Sequence, residues 1–169
     1  MKRAACAFAA VLAFASTSVA APRRVLGSEG LGAVQIGMTV KEAEKALGAR
    51  LRSSGEKACT DLSRRDGRER NIRYMAENGR ISRIDVTGPS QPRILTAAGI
   101  GIGASEEAVR RAYGAGLVVE RHPYDPDGHY LKMDDPDHSR GIIFETAKGR
   151  VTSFRAGRYP ALGFIEGCA

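Results

Sequence analysis

The sequence predicts an α+β fold of two tandem repeats, each a short helix followed by a 3-4 stranded antiparallel sheet, with a C-terminal tail tied back by a disulfide. Three observations predict it. Residues 37–48, GMTVKEAEKALG, recur as residues 103–114, GASEEAVRRAYG, 66 positions further on. Residues 71–87, NIRYMAENGRISRIDVT, recur as residues 141–157, GIIFETAKGRVTSFRAG, 70 positions further on. Beyond the N-terminal segment two cysteines remain, Cys59 and Cys168.

Residues 1–20 read as a secretory signal peptide. Lys2-Arg3 give a positive start, a small apolar run follows, and the segment ends in a small-x-small pattern at Ala20. Cys6 precedes most of the apolar run, which is not the place of a lipoprotein cysteine. Cleavage near Ala20 implies a periplasmic or secreted protein. It removes Lys2 and Arg3 and so lowers the net charge from +7 to +5. In an oxidising compartment an even cysteine pair is most simply one disulfide.

Residues 21–29 are polar and read as a flexible N-terminus. Repeat 1 is expected over 30–88. Thr39 stands where a helix cap belongs, with Glu42 at capping-box spacing. Val40, Ala43, Ala46 and Leu47 make one apolar face, and Gly48 can take a left-handed stop. In the hairpin, Asn78-Gly79 is a strong turn signal because both positions tolerate positive φ. Ile81 and Ile84 are three apart, which breaks strict alternation and predicts a bulge.

Repeat 2 is expected over 96–157. Ser105 caps, Glu106 and Glu107 sit in the first turn, and Ala108, Val109, Ala112 and Tyr113 form the apolar face. Leu117-Val118-Val119 starts a strand, Pro126-Asp127-Gly128 makes a turn, and Tyr130-Leu131-Lys132-Met133 is the next strand. Lys148-Gly149 repeats the hairpin turn, and Val151 and Phe154 repeat the three-residue spacing. Growth of the offset from 66 to 70 puts four extra residues between helix and hairpin. Residues 158–169 have no counterpart and read as a tail strand or clasp, tied to Cys59 through Cys168.

Three constellations carry charge or chemistry. His122, His129 and His138 fall among Asp125, Asp127, Asp134, Asp135 and Asp137, residue types that suit a transition metal. Their spacing matches no local ligand motif, so no metal or other cofactor is expected. Gly99, Gly101 and Gly103 lack the spacing of a phosphate loop. Arg64, Arg65, Arg68, Arg70 and Arg73 crowd one stretch, either as a solvated loop partly neutralised by Asp66 and Glu69 or as a contact for an acidic protein or anionic lipid. Without interleaved aromatics the run predicts no nucleic-acid partner. The matching loops carry opposite charge. Residues 63–70, with four Arg against two acids, carry +2; residues 133–140, with one Arg against three Asp, carry −2. No G-x-S-x-G, H-E-x-x-H or C-x-x-C pattern occurs.

The unit over 36–48, I-G-M-T-x-x-E-A-x-x-x-L-G, followed by a hairpin with a Gly-Arg turn, resembles the small helix-plus-sheet domains of the β-lactamase inhibitory protein family. It is also similar to the SmpA/OmlA outer-membrane-assembly lipoproteins. Tandem duplication favours the former, and the resemblance then implies two repeats that grip a protein on a concave sheet surface. The inhibitor family's disulfide in each repeat and aromatic-rich face are missing here, as is the lipoproteins' lipid-modified cysteine.

The expected function is therefore an exported, non-enzymatic protein-binding module of the cell envelope. Its contact candidates are Arg64, Arg65, Arg68, Arg70, Tyr124, Asp127, His129 and Tyr130. The expected partner is an envelope or extracellular protein, with anionic lipid as a second contact. The alternative is a metal-dependent or hydrolytic envelope enzyme using segment 122–138.

Overall fold

Each helix in the computed structural model lies against the hairpin that follows it in sequence. The structure describes residues 24–55, 58–89 and 93–168. The signal-peptide segment and its cleavage site lie outside the described residues.

The chain begins with three short strands, β1 (Arg24–Gly27), β2 (Gly30–Leu31) and β3 (Val34–Gln35). Helix α1 (Val40–Leu47) follows, then β4 (Leu51–Gly55), β5 (Cys59–Arg64), β6 (Ile72–Glu77) and β7 (Arg80–Val86). A two-residue strand, β8 (Ile94–Leu95), leads to helix α2 (Glu106–Tyr113). Four more strands follow: β9 (Val118–Arg121), β10 (Gly128–Asp134), β11 (Arg140–Ala147) and β12 (Arg150–Arg158). The short strands form a small sheet in the order β3-β2-β1-β8. The other eight form one sheet in the order β4-β5-β6-β7-β12-β11-β10-β9.

The local signals act as expected. Thr39 accepts from the Glu42 N–H at 3.2 Å while Glu42 accepts from the Thr39 N–H at 2.8 Å, a closed capping box. Ser105 accepts from the Ala108 N–H at 3.1 Å. Asn78 and Gly79 both have positive φ, as do Lys148 and Gly149. Both hairpins skip one residue: Met75 pairs Arg83 but Ala76 pairs Ile81, and Glu145 pairs Ser153 but Thr146 pairs Val151. Ser82 and Thr152 are thus the bulged residues, which puts Ile81 and Ile84, and Val151 and Phe154, into one core.

The helix motif and the hairpin are two sides of one contact. The Val40 N–H donates to the Gly79 carbonyl at 3.0 Å, and the Glu106 N–H to the Gly149 carbonyl at 3.0 Å. Arg80 donates to the Gly37 carbonyl at 3.0 Å, and Arg150 to the Gly103 carbonyl at 3.0 Å.

Other details differ from expectation. Leu26, expected in a flexible N-terminus, is fully buried in β1, because β1 pairs in parallel with β8 and covers the helix-side core. Ala112 is exposed; α2 turns only Ala108, Val109 and Tyr113 inward. The four extra residues are divided. The register offset is 66 between β4 and β9, 69 between β5 and β10, and 70 between β6 and β11. Three extra residues therefore lie in the β9–β10 connection and one in the β10–β11 loop. The tail forms no strand but a 3-10 turn, Ala161–Gly163, closed by a Cys59–Cys168 disulfide.

Candidate functional site

Alternation along the strands sends Leu62, Tyr74, Ile84, Leu131, Phe144 and Phe154 into the helix-side core. The intervening residues stand on the opposite face. There β7 presents Arg83 and Asp85, β12 presents Ser153 and Arg155, β11 presents Ile143 and Glu145, and β10 presents Tyr130.

The tail crosses this face. Arg83 donates to the carbonyls of Ala161, at 2.9 Å, and Phe164, at 2.7 Å. Arg155 donates to the Leu162 carbonyl at 3.0 Å. Leu162 is fully buried against Tyr130 and Ile143, with Tyr159 beside them. Backbone carbonyls thus point inward to the arginines, while Phe164 and Ile165 stay 37% and 47% exposed. Tyr124, 69% exposed, donates its hydroxyl to Glu166 at 2.9 Å, which joins the β9–β10 turn to the tail.

A polar cavity of about 250 Å³ remains beneath the tail, with Asp61, Arg73, Asp85 and Glu145 among its walls. Arg83 pairs with Asp85 at 3.0 Å, and Arg155 with Glu145 at 3.6 Å. The Arg155 guanidinium also lies over the Tyr130 ring, 5.2 Å from its centroid. Burial pushes the Asp85 carboxyl above its ordinary value, against the pull of Arg83. Burial pulls the Arg155 guanidinium down, and the like charge of Arg83 adds to it. Apart from Tyr130, none of these residues stood among the sequence candidates. A signal was present: Arg155 is a charge set between Phe154 and Ala156, and Arg83 one beside Ile84, each within a hairpin strand.

The structure separates the candidates of segment 122–138. Tyr130 is 4% exposed under the tail and offers no outward contact. His129, its neighbour, points to the helix side, where Nδ1 lies 2.9 Å from Glu106. Consecutive strand residues face opposite ways, so the two cannot share a surface. Asp127 is an exposed turn residue whose N–H bonds to Asp125. His122 Nδ1 accepts from the N–H groups of Tyr124 and Asp125, leaving Nε2 to donate to Glu145 at 3.1 Å. His138 lies 3.6 Å from Asp134. Each histidine thus meets a different carboxylate, and among the described residues no group of three or more His, Cys, Asp or Glu is placed to hold a metal ion.

The arginine candidates do come together. They line a cleft of about 860 Å³ at the end of β4–β6, with Arg52 and Arg73 joining them. Arg64 is part of its frame: it binds Asp66 through two bonds, at 3.1 and 2.7 Å. That pairing, with the Arg68 N–H, holds the Asp66 carboxyl down to about 2. Glu69 bonds to Arg24 of β1 and so fastens the loop to the small sheet. Arg65, Arg68, Arg70 and Arg73 are exposed, and none forms an ion pair among the described residues. The acidic β10–β11 loop emerges at the opposite end of the sheet, because β7 and β12 are antiparallel.

Two solved structures show likeness to this chain. One is an extracellular protein containing a SCP domain from Bacillus anthracis str. Ames, with a TM-score of 0.47 and 9% identity, over 73% of this chain and 44% of that one. This chain thus spans less than half of that protein's length. The other is a DUF4309 family protein (YjgB) from Bacillus subtilis subsp. subtilis str. 168, with a TM-score of 0.48 and 16% identity, over 77% of this chain and 84% of that one. No family model matches the chain, and no curated protein matches it. Among the described residues no helix is long and apolar enough to cross a membrane.

Proposed function

We propose that this protein is an exported, non-enzymatic binding module of the cell envelope that takes a protein partner on its tail-covered face. The observation that carries the reading is the pinned tail, which turns Phe164 and Ile165 outward beside the Tyr124–Glu166 bond. Large apolar and aromatic side chains held in one geometry are what interface centres are made of, since little entropy remains to be lost on binding. The tail is held by two arginines, a buried leucine and a disulfide, which supplies that rigidity. The leader-like residues 1–20 and the disulfide fit an oxidising, exported location.

The shared helix–hairpin contacts support a further reading, that the two halves are tandem copies of one unit. That arrangement accords with the resemblance to the β-lactamase inhibitory family, although inhibition does not carry over. The basic and acidic ends of the sheet would orient an approaching partner through its charge.

Affinity capture from an envelope extract tests the reading. Wild-type protein retains a partner, and the Tyr124→Ala/Phe164→Ala/Ile165→Ala variant loses it. Retention of the same proteins by both would remove this face from consideration.

A further inference from the structure

We propose that the arginine cleft at the β4–β6 end of the sheet is a separate binding site, for a phosphorylated saccharide. Its volume of about 860 Å³ suits a small ligand of one or two sugar rings. Arg65, Arg68, Arg70 and Arg73 bring four guanidinium groups to it without an ion-pair partner among the described residues. The two acids within the run are already engaged, Asp66 by Arg64 and the Arg68 N–H, and Glu69 by Arg24. The excess positive charge is therefore open to an oxyanion, and guanidinium forks match phosphate oxygens in pairs.

The cleft is built before any ligand arrives. Gly67 and Glu69 hold left-handed backbone, Arg70 donates to the Gly67 carbonyl at 3.1 Å, and Arg24 of β1 anchors Glu69. A fixed loop spends less conformational entropy when it closes on an anion.

The lining also distinguishes a sugar phosphate from bare phosphate. Asp61 lines the cleft as well as the cavity beneath the tail; its Oδ1 is buried with no hydrogen-bond partner among the described residues and out of a ligand's reach, so a sugar hydroxyl would meet Oδ2. A carboxylate in that wall disfavours bare inorganic phosphate beside it but can accept from a sugar hydroxyl. The hydroxyls of Ser54 and Ser63, on the same face of the sheet as Asp61, add to the polar wall. Among the described residues no aromatic side chain lines the cleft, so nucleobases have nothing there to stack on. The ligand can be a free sugar phosphate or the phosphorylated sugar headgroup of a lipid; the chemistry recognised is the same.

Calorimetric titration of the purified, oxidised protein tests this. The probes are glucose 1,6-bisphosphate, glucose, inorganic phosphate, vesicles bearing a phosphorylated glycolipid, and plain phosphatidylglycerol vesicles. Glucose 1,6-bisphosphate is expected to bind at least about tenfold more tightly than inorganic phosphate, with affinity falling steeply as salt rises. The Arg65→Glu/Arg68→Glu/Arg70→Glu variant is expected to lose about tenfold or more in affinity. Arg121→Glu, on the distant edge strand β9, is expected to change it by less than about twofold. Asp61→Asn is expected to narrow the preference for the sugar phosphate over inorganic phosphate. Binding to glycolipid vesicles but not to the free sugar phosphate would assign the site to the lipid source; the reverse would assign it to the soluble one. Equal affinity for inorganic phosphate, binding only to plain phosphatidylglycerol vesicles, absence of binding, or an unaffected triple-arginine variant that retains its wild-type circular dichroism would each overturn the proposal.

Discussion

Asp85 and Arg155 are register partners where β7 meets β12, and they stand 70 positions apart, the sequence offset between the two hairpins. On the proposed reading of two tandem copies, the junction pairs a position with its own counterpart, here as an acid and a base. Arg155 also serves Glu145, the Tyr130 ring and the Leu162 carbonyl. Replacing it leaves buried acids short of a counter-charge. Arg155→Ala should cost about 3–5 kcal/mol in urea unfolding, whereas exposed Arg121→Ala should cost under about 0.5 kcal/mol.

The same junction depends on close backbone approach. A Cβ on Gly157 would stand 2.3 Å from the Ser82 carbonyl oxygen and 2.8 Å from the Arg83 Cα. Gly157→Ala should therefore force β12 away from β7 and lower stability by about 1–3 kcal/mol or more. Thermal unfolding followed by circular dichroism measures it, and a wild-type midpoint would contradict the close contact.

The disulfide closes a loop with a sequence separation of 109. By the chain-entropy relation its removal costs roughly 4–5 kcal/mol. Cys59→Ser/Cys168→Ser should unfold at lower urea yet keep its strand content, since the tail adds no strand to either sheet. Limited proteolysis should then cut faster around Phe164 and Ile165 than in the oxidised protein, where Arg83 and the disulfide hold the tail backbone in place.

Arg64, followed by the Arg68 N–H, holds the Asp66 carboxyl at about 2, below its ordinary 3.8. Because the folded value is depressed, the stabilisation is fully present above the ordinary value. It is lost as pH falls through about 2. Carboxyl NMR should find Asp66 titrating near that low value, and Arg64→Ala should move it upward. An unmoved titration would exclude Arg64 as the cause.

Much of this was legible in the sequence because it is local. A capping box needs only Thr39 and Glu42, and a left-handed turn only Asn78 and Gly79. The bulges could be read because Ile81/Ile84 and Val151/Phe154 share one irregular spacing. Alternation alone could also have separated His129 from Tyr130, since adjacent strand residues face opposite ways. The arginine cleft was foreshadowed by composition, but not the division of labour within it, where Arg64 braces the loop and Arg65, Arg68, Arg70 and Arg73 stay exposed.

By itself, then, the sequence determined the helices, their caps, the two hairpins with their turns and bulges, and the cysteine pair. Each depends on residues a few positions apart, or on two cysteines remaining beyond the leader-like segment that holds Cys6. The tertiary structure alone decided that β7 and β12 fuse eight strands into one sheet, that Arg80 reaches back to Gly37, and that the tail covers the face of Arg83 and Arg155. Those choices depend on which strand edges and which faces meet across long stretches of chain. A periodic pattern states that a face is buried; it does not state what buries it.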